Sequence, residues 1–301
     1  MPSATVTCPG SARWNERSRS PARRAGRSGP VRPVAVLLLG LLLTACAAGS
    51  RAPSPGTPSR PWAIEAPPGS PLGRLVARSG FVSVLAYAPG GREGEPRRLV
   101  VAGGSGTLIG RNGIVVTAAH IAVDDGYRME VTLPDGGRFE GRVLALLPEK
   151  DLAVLCVPGL VGRHGARLRR SDPLPGAPVL AFGSPRRGRI AAAAGRVRSG
   201  RLAGSIHYGR FVLETPLELA LSIEPGFSGG PVVDVDGEVV GILASFAMDL
   251  DAEGGPRRLG LAFAVPGRTL AADLPARAGD RCAAMVGPSA GLGVGRRDQA
   301  G

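Results

Sequence analysis

The chain has 301 residues, which at ~150 residues per domain allows one large domain or two small ones. Hydrophobic residues at 44% exclude wholesale disorder, and 46 Gly with 28 Pro are too many for a helical bundle and too aperiodic for collagen. The net charge of +13 suggests nucleic acid, yet seven Arg against Glu16 in residues 1–45 supply nearly half of it, and the other arginines are scattered without aromatic interleaving, so no nucleic-acid partner is expected.

Val34 to Ala45 is an apolar run too short to span a bilayer but of signal-peptide length. It follows an Arg-rich stretch and ends in Leu43-Thr44-Ala45-Cys46, which resembles the bacterial lipobox. That resemblance implies a signal peptide over 1–45 and a lipidated Cys46, and with it a membrane attachment through a lipid anchor. Residues 1–30 read as a mis-assigned start ahead of a compact signal beginning at Val31. Residues 46–73 carry Pro53, Pro55, Pro58, Pro61, Pro67, Pro68 and Pro71 and read as a stiff linker, reaching roughly 80 Å at ~3.1 Å per residue.

From residue 74 to 272 the chain reads as short strands and turns. Phe81–Tyr87 alternates. Arg111-Asn112-Gly113, Pro134-Asp135-Gly136-Gly137 and Asp236-Gly237 are hairpin signals between apolar runs. Further Val-, Ile- and Leu-rich strands are expected at Leu152–Val157, Pro178–Phe182, Gly195–Val197 and Phe211–Glu214. No long segment has a helical period. Such a chain suggests two packed antiparallel barrels or a sandwich. Residues 273–301 lose the pattern and read as a flexible tail. Cys156 and Cys282 either pair or remain thiols; the sequence leaves both open.

Gly226-Phe227-Ser228-Gly229-Gly230-Pro231 is the most informative stretch. Glycines on both sides of Ser228 permit a tight turn that exposes the hydroxyl and gathers backbone N–H groups. A serine hydroxyl needs a base. His120, His164 and His207 all precede Ser228, which excludes the α/β-hydrolase order. No Asp precedes His120, so a subtilisin-like order fails for it too. His…Asp…Ser remains. His120 ends an apolar strand, whereas His164 and His207 look like surface positions. Among the acids between His120 and Ser228, Asp151 opens the buried run Asp-Leu-Ala-Val-Leu. A carboxylate there needs a partner, which favours a hydrogen bond to His120.

Thr117–His120, Asp151–Leu155 and Gly226–Pro231 together resemble the signature blocks of the chymotrypsin-like serine proteases, nearest to the HtrA (Deg) branch. Gly104-Ser105-Gly106-Thr107, Ala181-Phe182-Gly183-Ser184-Pro185 and Leu261-Ala262-Phe263-Ala264-Val265-Pro266 extend the resemblance over roughly residues 75–270. It implies an all-β fold of two six-stranded antiparallel Greek-key barrels, about 74–165 and 172–272, with the site at their junction. It implies a serine endopeptidase without cofactor or metal, with His120, Asp151 and Ser228 as the triad. The oxyanion loop would be Gly226, Phe227 and Ser228. Leu221, Ser222 and Ile223 with Ala244, Ser245 and Phe246 would wall the first specificity pocket, none of them acidic, so a small or aliphatic P1 is expected.

Phe227 departs from the Asn common in HtrA proteins. About thirty residues follow Val265, too few for the PDZ domain usual in that branch. By the same resemblance the partners are polypeptides, the oligomer a trimer, and the location the bacterial cell envelope. The alternative is a catalytically idle protease-fold lipoprotein that binds peptides or acts as a scaffold.

Overall fold

The computed structural model describes residues 61–67, 69–88, 99–122, 126–186, 189–250, 255–274 and 278–285. The expected signal segment, Cys46 and the linker up to residue 60 lie outside them. The described part opens with β1 (Trp62–Ile64) and α1 (Pro71–Arg78), both of which begin inside the expected linker. Ser70 caps α1 by accepting from the Gly73 N–H at 2.9 Å, and Pro71 at the first helical position has no N–H to lose. The helix buries Val76, with Leu72 and Leu75 beside it. Eight residues are too few for a visible period, which is why the sequence reading passes over it.

The first barrel comprises β2 (Phe81–Tyr87), β3 (Val100–Ile109), β4 (Asn112–Ala118), β5 (Arg128–Thr132), β6 (Arg138–Leu147) and β7 (Leu152–Val161). A short helix, α2 (Ala119–Ala122), follows β4, and a 3-10 turn, Pro148–Lys150, precedes β7. The strands pair in the order β2-β3-β4-β7-β6-β5 and close back on β2. β2 therefore pairs on both edges: Ser83 lies opposite Ser105 on one side and Thr132 on the other. Val82, Val84, Val115, Val131 and Leu155 fill the interior, and each such side chain stabilises the fold by about 1.5–3 kcal/mol through burial.

The second barrel comprises β8 (Pro178–Arg186), β9 (Arg189–Arg201), β12 (Leu217–Ala220), β13 (Pro231–Val233), β14 (Val239–Leu250) and β15 (Pro256–Pro266). Between β9 and β12 a separate hairpin forms from β10 (Ser205–Tyr208) and β11 (Phe211–Glu214). The barrel order β8-β9-β12-β15-β14-β13, closed by the β13–β8 pairing, repeats the connectivity of the first. β1 adds an extra strand on β9, with Trp62 opposite Ala192. The expected all-β architecture of two six-stranded antiparallel barrels is what the chain forms.

Strand lengths differ from the sequence reading where side chains are small. β9 extends far beyond Gly195–Val197 because Ala191, Ala192 and Ala193, weak strand formers alone, are buried. The Asp236-Gly237 hairpin forms as expected: Gly237 has φ +75°, and Asp234 Oδ1 accepts from the N–H groups of Asp236 and Glu238, both at 3.0 Å.

After α3 (Gly267–Asp273) comes α4 (Ala278–Ala284), within the expected tail. Cys282 on α4 is bonded to Cys156 on β7, with Cα atoms 5.3 Å apart. Ile114, Val154 and Ala278 pack around the bond. The question left open by the sequence is thus resolved as a pair.

Candidate active site

The fold brings the ends of β4 and β7 together. β4 pairs with β7 up to Ala118 opposite Leu152, so α2 starts beside the residue before β7. That residue is Asp151, and the Ala119 N–H donates to its carbonyl oxygen at 3.1 Å. The 3-10 turn delivers Asp151 in the left-handed region, φ +46°, a conformation that Asp tolerates better than most residues. Its side chain is fully buried. Two oxygens accept from three directions. The His120 N–H donates to Oδ1 at 3.0 Å, His120 Nδ1 lies 2.8 Å from Oδ2 and 3.1 Å from Oδ1, and the Tyr208 hydroxyl donates to Oδ2 at 2.5 Å. The carboxylate holds the imidazole proton on Nδ1, which leaves Nε2 as an acceptor facing outward. His120 is partly exposed; Asp151 is not.

Tyr208 comes from the β10–β11 hairpin, as does Phe211. Both rings meet the imidazole edge-on, with centroids 6.2 and 6.0 Å away. Burial pushes the Tyr208 phenol far above its ordinary range, and the Asp151 charge and hydrogen bond act in the same direction. His207, on the same strand, faces outward and bonds Ser205 at 2.8 Å. His164 lies in the loop after β7, far along the chain from the turn that holds Ser228.

The Ser228 turn precedes β13. Gly226 and Gly229 have φ +100° and +83°, and an added Cβ on Gly229 would come within 2.4 Å of Thr117 Oγ1. The first barrel grips this turn from β3 and β4. The Ser105 N–H donates to the Ser228 carbonyl at 2.8 Å, Ser105 Oγ–H to the Gly226 carbonyl at 2.6 Å, and Thr107 Oγ1–H to the Gly229 carbonyl at 3.2 Å. Ser105 Oγ in turn accepts from the Ser184 N–H at 3.0 Å. With the peptide carbonyls so held, the N–H groups of Gly226 and Ser228 make no hydrogen bond among the described residues. Ser228 Oγ is 3.4 Å from the Ala244 carbonyl oxygen and forms no hydrogen bond with His120. Such bonds are often long before substrate binds.

Leu221 and Ile223 are buried in the second barrel with Phe227, and Phe246 packs on the same cluster. Ala244 is buried on β14, while Ser222 and Ser245 are partly exposed. Glu224 pairs with Arg258 at 3.9 Å, and that guanidinium lies 5.6 Å above the Phe246 ring. On the other side of Gly226 a cleft of about 540 Å³ runs between Ser83, Leu85, Tyr87, Ser184 and Pro225. Of the residues expected from sequence, His120 and Asp151 are in contact and Ser228 is not bonded to either; Ser105, Thr107 and Ser184 stood in quoted motifs without a sign of their contacts. Sequence reasoning missed Tyr208 and Phe211.

Residues 104–242 match the family described as trypsin-like peptidase domain. Over these residues, a little under half of the chain, the protein is similar to trypsin-like peptidases. It is 37% identical over 180 residues to a probable periplasmic serine endoprotease DegP-like of Ectopseudomonas mendocina, covering 59% of this chain and 35% of that one. It is 34% identical over 172 residues to the putative protease Do-like 14 of Arabidopsis thaliana, covering 54% and 38%. With the mitochondrial serine protease HTRA2 of Bos taurus it shares 32% identity over 159 residues, 48% of this chain and 32% of the other. The chain thus spans about a third of the length of these relatives. The crystal structure of Rv3671c protease in its inactive form superposes with a TM-score of 0.51 at 26% identity, covering 67% of this chain and 91% of that one. The curated relatives named here are DegP-, Do- and HtrA-type proteases, to which this chain is similar over 48–59% of its length.

Proposed function

We propose that the protein is a serine endopeptidase of the cell envelope that hydrolyses peptide bonds in unfolded or damaged polypeptides. The observation that carries this reading is the fully buried Asp151 bound to His120 Nδ1, beside a glycine turn that presents Ser228. In the reaction Ser228 Oγ attacks the carbonyl carbon while His120 Nε2 takes its proton. His120 then returns that proton to the leaving amine, and water enters by the same route in reverse. Asp151 holds the tautomer and stabilises the imidazolium. The N–H groups of Gly226 and Ser228 stabilise the oxyanion, each worth about 3–4 kcal/mol.

The substrate would add as a strand. β13 pairs with β14 only from Val239 to Ile242, so the β14 edge from Ala244 to Phe246, beside Ser228, is not occupied by β13. Leu221, Ile223 and Phe246 crowd the space behind it, which favours a small or aliphatic P1. Lipidation at Cys46 would tether the domain to the membrane through the Pro-rich residues that precede β1. A disulfide between Cys156 and Cys282 fits an oxidising compartment such as the periplasm. A trimer is the assembly expected of the HtrA type.

One observation favours a second reading, a resting or idle site that binds peptides: Ser228 Oγ faces the Ala244 carbonyl rather than His120. A fluorophosphonate probe on the purified chain separates the two. Labelling that disappears in Ser228→Ala supports the peptidase; a folded wild-type protein that is not labelled supports the binding module.

A further inference from the structure

We infer that Tyr208 is a positioning residue of the triad, and that the β10–β11 hairpin must be docked for Asp151 to act. The inference rests on the peptidase reading above and adds a residue to it. Asp151 is fully buried, and every other hydrogen bond to its carboxylate among the described residues comes from His120 itself. Tyr208 alone ties the acid to a different element, and it donates to Oδ2, the oxygen nearer to the imidazole Nδ1. The β14 side of the site offers no substitute. Ala244 has no polar side-chain atom, and the Ser245 hydroxyl lies by the phenol, where it opposes the upward shift weakly, rather than on Asp151.

The hairpin is not a barrel strand. β10 and β11 pair only with each other, and Arg210 in their turn stacks 5.2 Å over the Phe211 ring. Its aromatic face, Tyr208 and Phe211, covers the imidazole. Undocking the hairpin would remove a donor from a buried carboxylate and open His120 to water in one movement.

A neutral donor on Oδ2 spreads the carboxylate charge and weakens its hold on the imidazole proton. Its removal leaves more negative charge facing His120, so the imidazole binds its proton more tightly. The basic form that accepts from Ser228 is then lost at a higher pH than in the wild type. Among the elements around His120, the titratable or charged groups besides Asp151 and Tyr208 are few. His207 is turned to Ser205, Arg210 lies beyond Phe211, and Lys150 and Glu214 line a separate cavity.

The test compares wild-type protein with Tyr208→Phe, which keeps the ring. Two readouts are taken: the fluorophosphonate labelling rate from pH 5 to 9, and the His120 titration by 15N-histidine NMR. The expected result is about tenfold slower labelling and a His120 midpoint raised by roughly half a pH unit or more, in line with the loss of one charge-assisted hydrogen bond. An unchanged rate with an unchanged midpoint overturns the inference. If wild-type protein is not labelled but the midpoint still shifts, the peptidase reading fails while the Tyr208 placement stands. In the wild-type protein alone, the Tyr208 phenol followed by 13C NMR should keep its proton beyond the ordinary tyrosine range; titration within that range overturns the placement even if the variant does not fold.

Discussion

Ser105 Oγ–H donates to the Gly226 carbonyl at 2.6 Å, and through this bond the first barrel sets the shape of the oxyanion loop on the second. The Gly226 carbonyl belongs to the peptide between the two proposed oxyanion donors. Fixing it constrains the N–H groups on both sides. The Ser184 N–H also donates to this carbonyl at 3.2 Å, so the loop keeps one tether when Ser105 is truncated.

Ser105→Ala is therefore expected to fold, with a loss of about 1–2 kcal/mol in stability by urea unfolding. Its fluorophosphonate labelling should slow by at least about tenfold, because the donors lose their fixed direction. Labelling at the wild-type rate would show that the loop holds its shape without the side chain.

Phe227 and Gly183 form a second such pair. Phe227 is fully buried, and a Cβ on Gly183 would lie 2.3 Å from its ring. Gly183→Ala forces that ring out of place in a closed core, so a loss of about 1–3 kcal/mol is expected. Phe227 lies between Gly226 and Ser228, and labelling should fall as well. The double variant Gly183→Ala/Phe227→Ala should lose less stability in thermal unfolding than the two single variants lose together, because alanine at 227 has no Cγ to meet the new Cβ. Losses that simply add would place the strain elsewhere.

The barrels were legible in the sequence because Asn112-Gly113, Gly136-Gly137 and Asp236-Gly237 punctuate strongly apolar runs. His120, Asp151 and Ser228 could be named as candidates from sequence because His120 ends an apolar strand, Asp151 opens a buried one and glycines flank Ser228. Tyr208 was not. It meets Asp151 across 57 residues, from a hairpin with weak alternation and no glycine-pair turn, and nothing local marks a phenol that bonds a distant carboxylate. The Cys156–Cys282 bond was hidden for a similar reason: α4 is too short to show a period, so its cysteine appeared to lie in loose chain. Phe227 departs from the HtrA pattern in the sequence, and its close fit against Gly183 appears only in three dimensions.

Asp151→Asn tests the acid while keeping its shape. An amide has one oxygen and one donor where the carboxylate has two acceptors. If the oxygen stays on the His120 N–H, the NH2 group faces His120 Nδ1 and the Tyr208 hydroxyl. The imidazole then places its proton on Nε2 and cannot accept from Ser228. Labelling should fall by about 10⁴-fold with the fold retained, as judged by far-UV circular dichroism. A fall of less than about tenfold would remove Asp151 from the triad.

Cys282→Ser removes a bond that closes a loop between positions 126 residues apart. Chain entropy alone assigns such a loop about 4–5 kcal/mol, and native disulfides typically deliver about 2–4 kcal/mol. A fall in Tm of roughly 6–12 °C is expected for a domain of this size. The triad should stay assembled near neutral pH at low temperature, because Cys156 sits in β7 beyond four buried residues from Asp151 and the ladder with β4 remains. Labelling at 10 °C should thus match the wild type while labelling at 45 °C is lost first in the variant. Equal Tm values for the two proteins would mean that α4 is held by packing of Ala278 on Ile114 and Val154 rather than by the covalent bond.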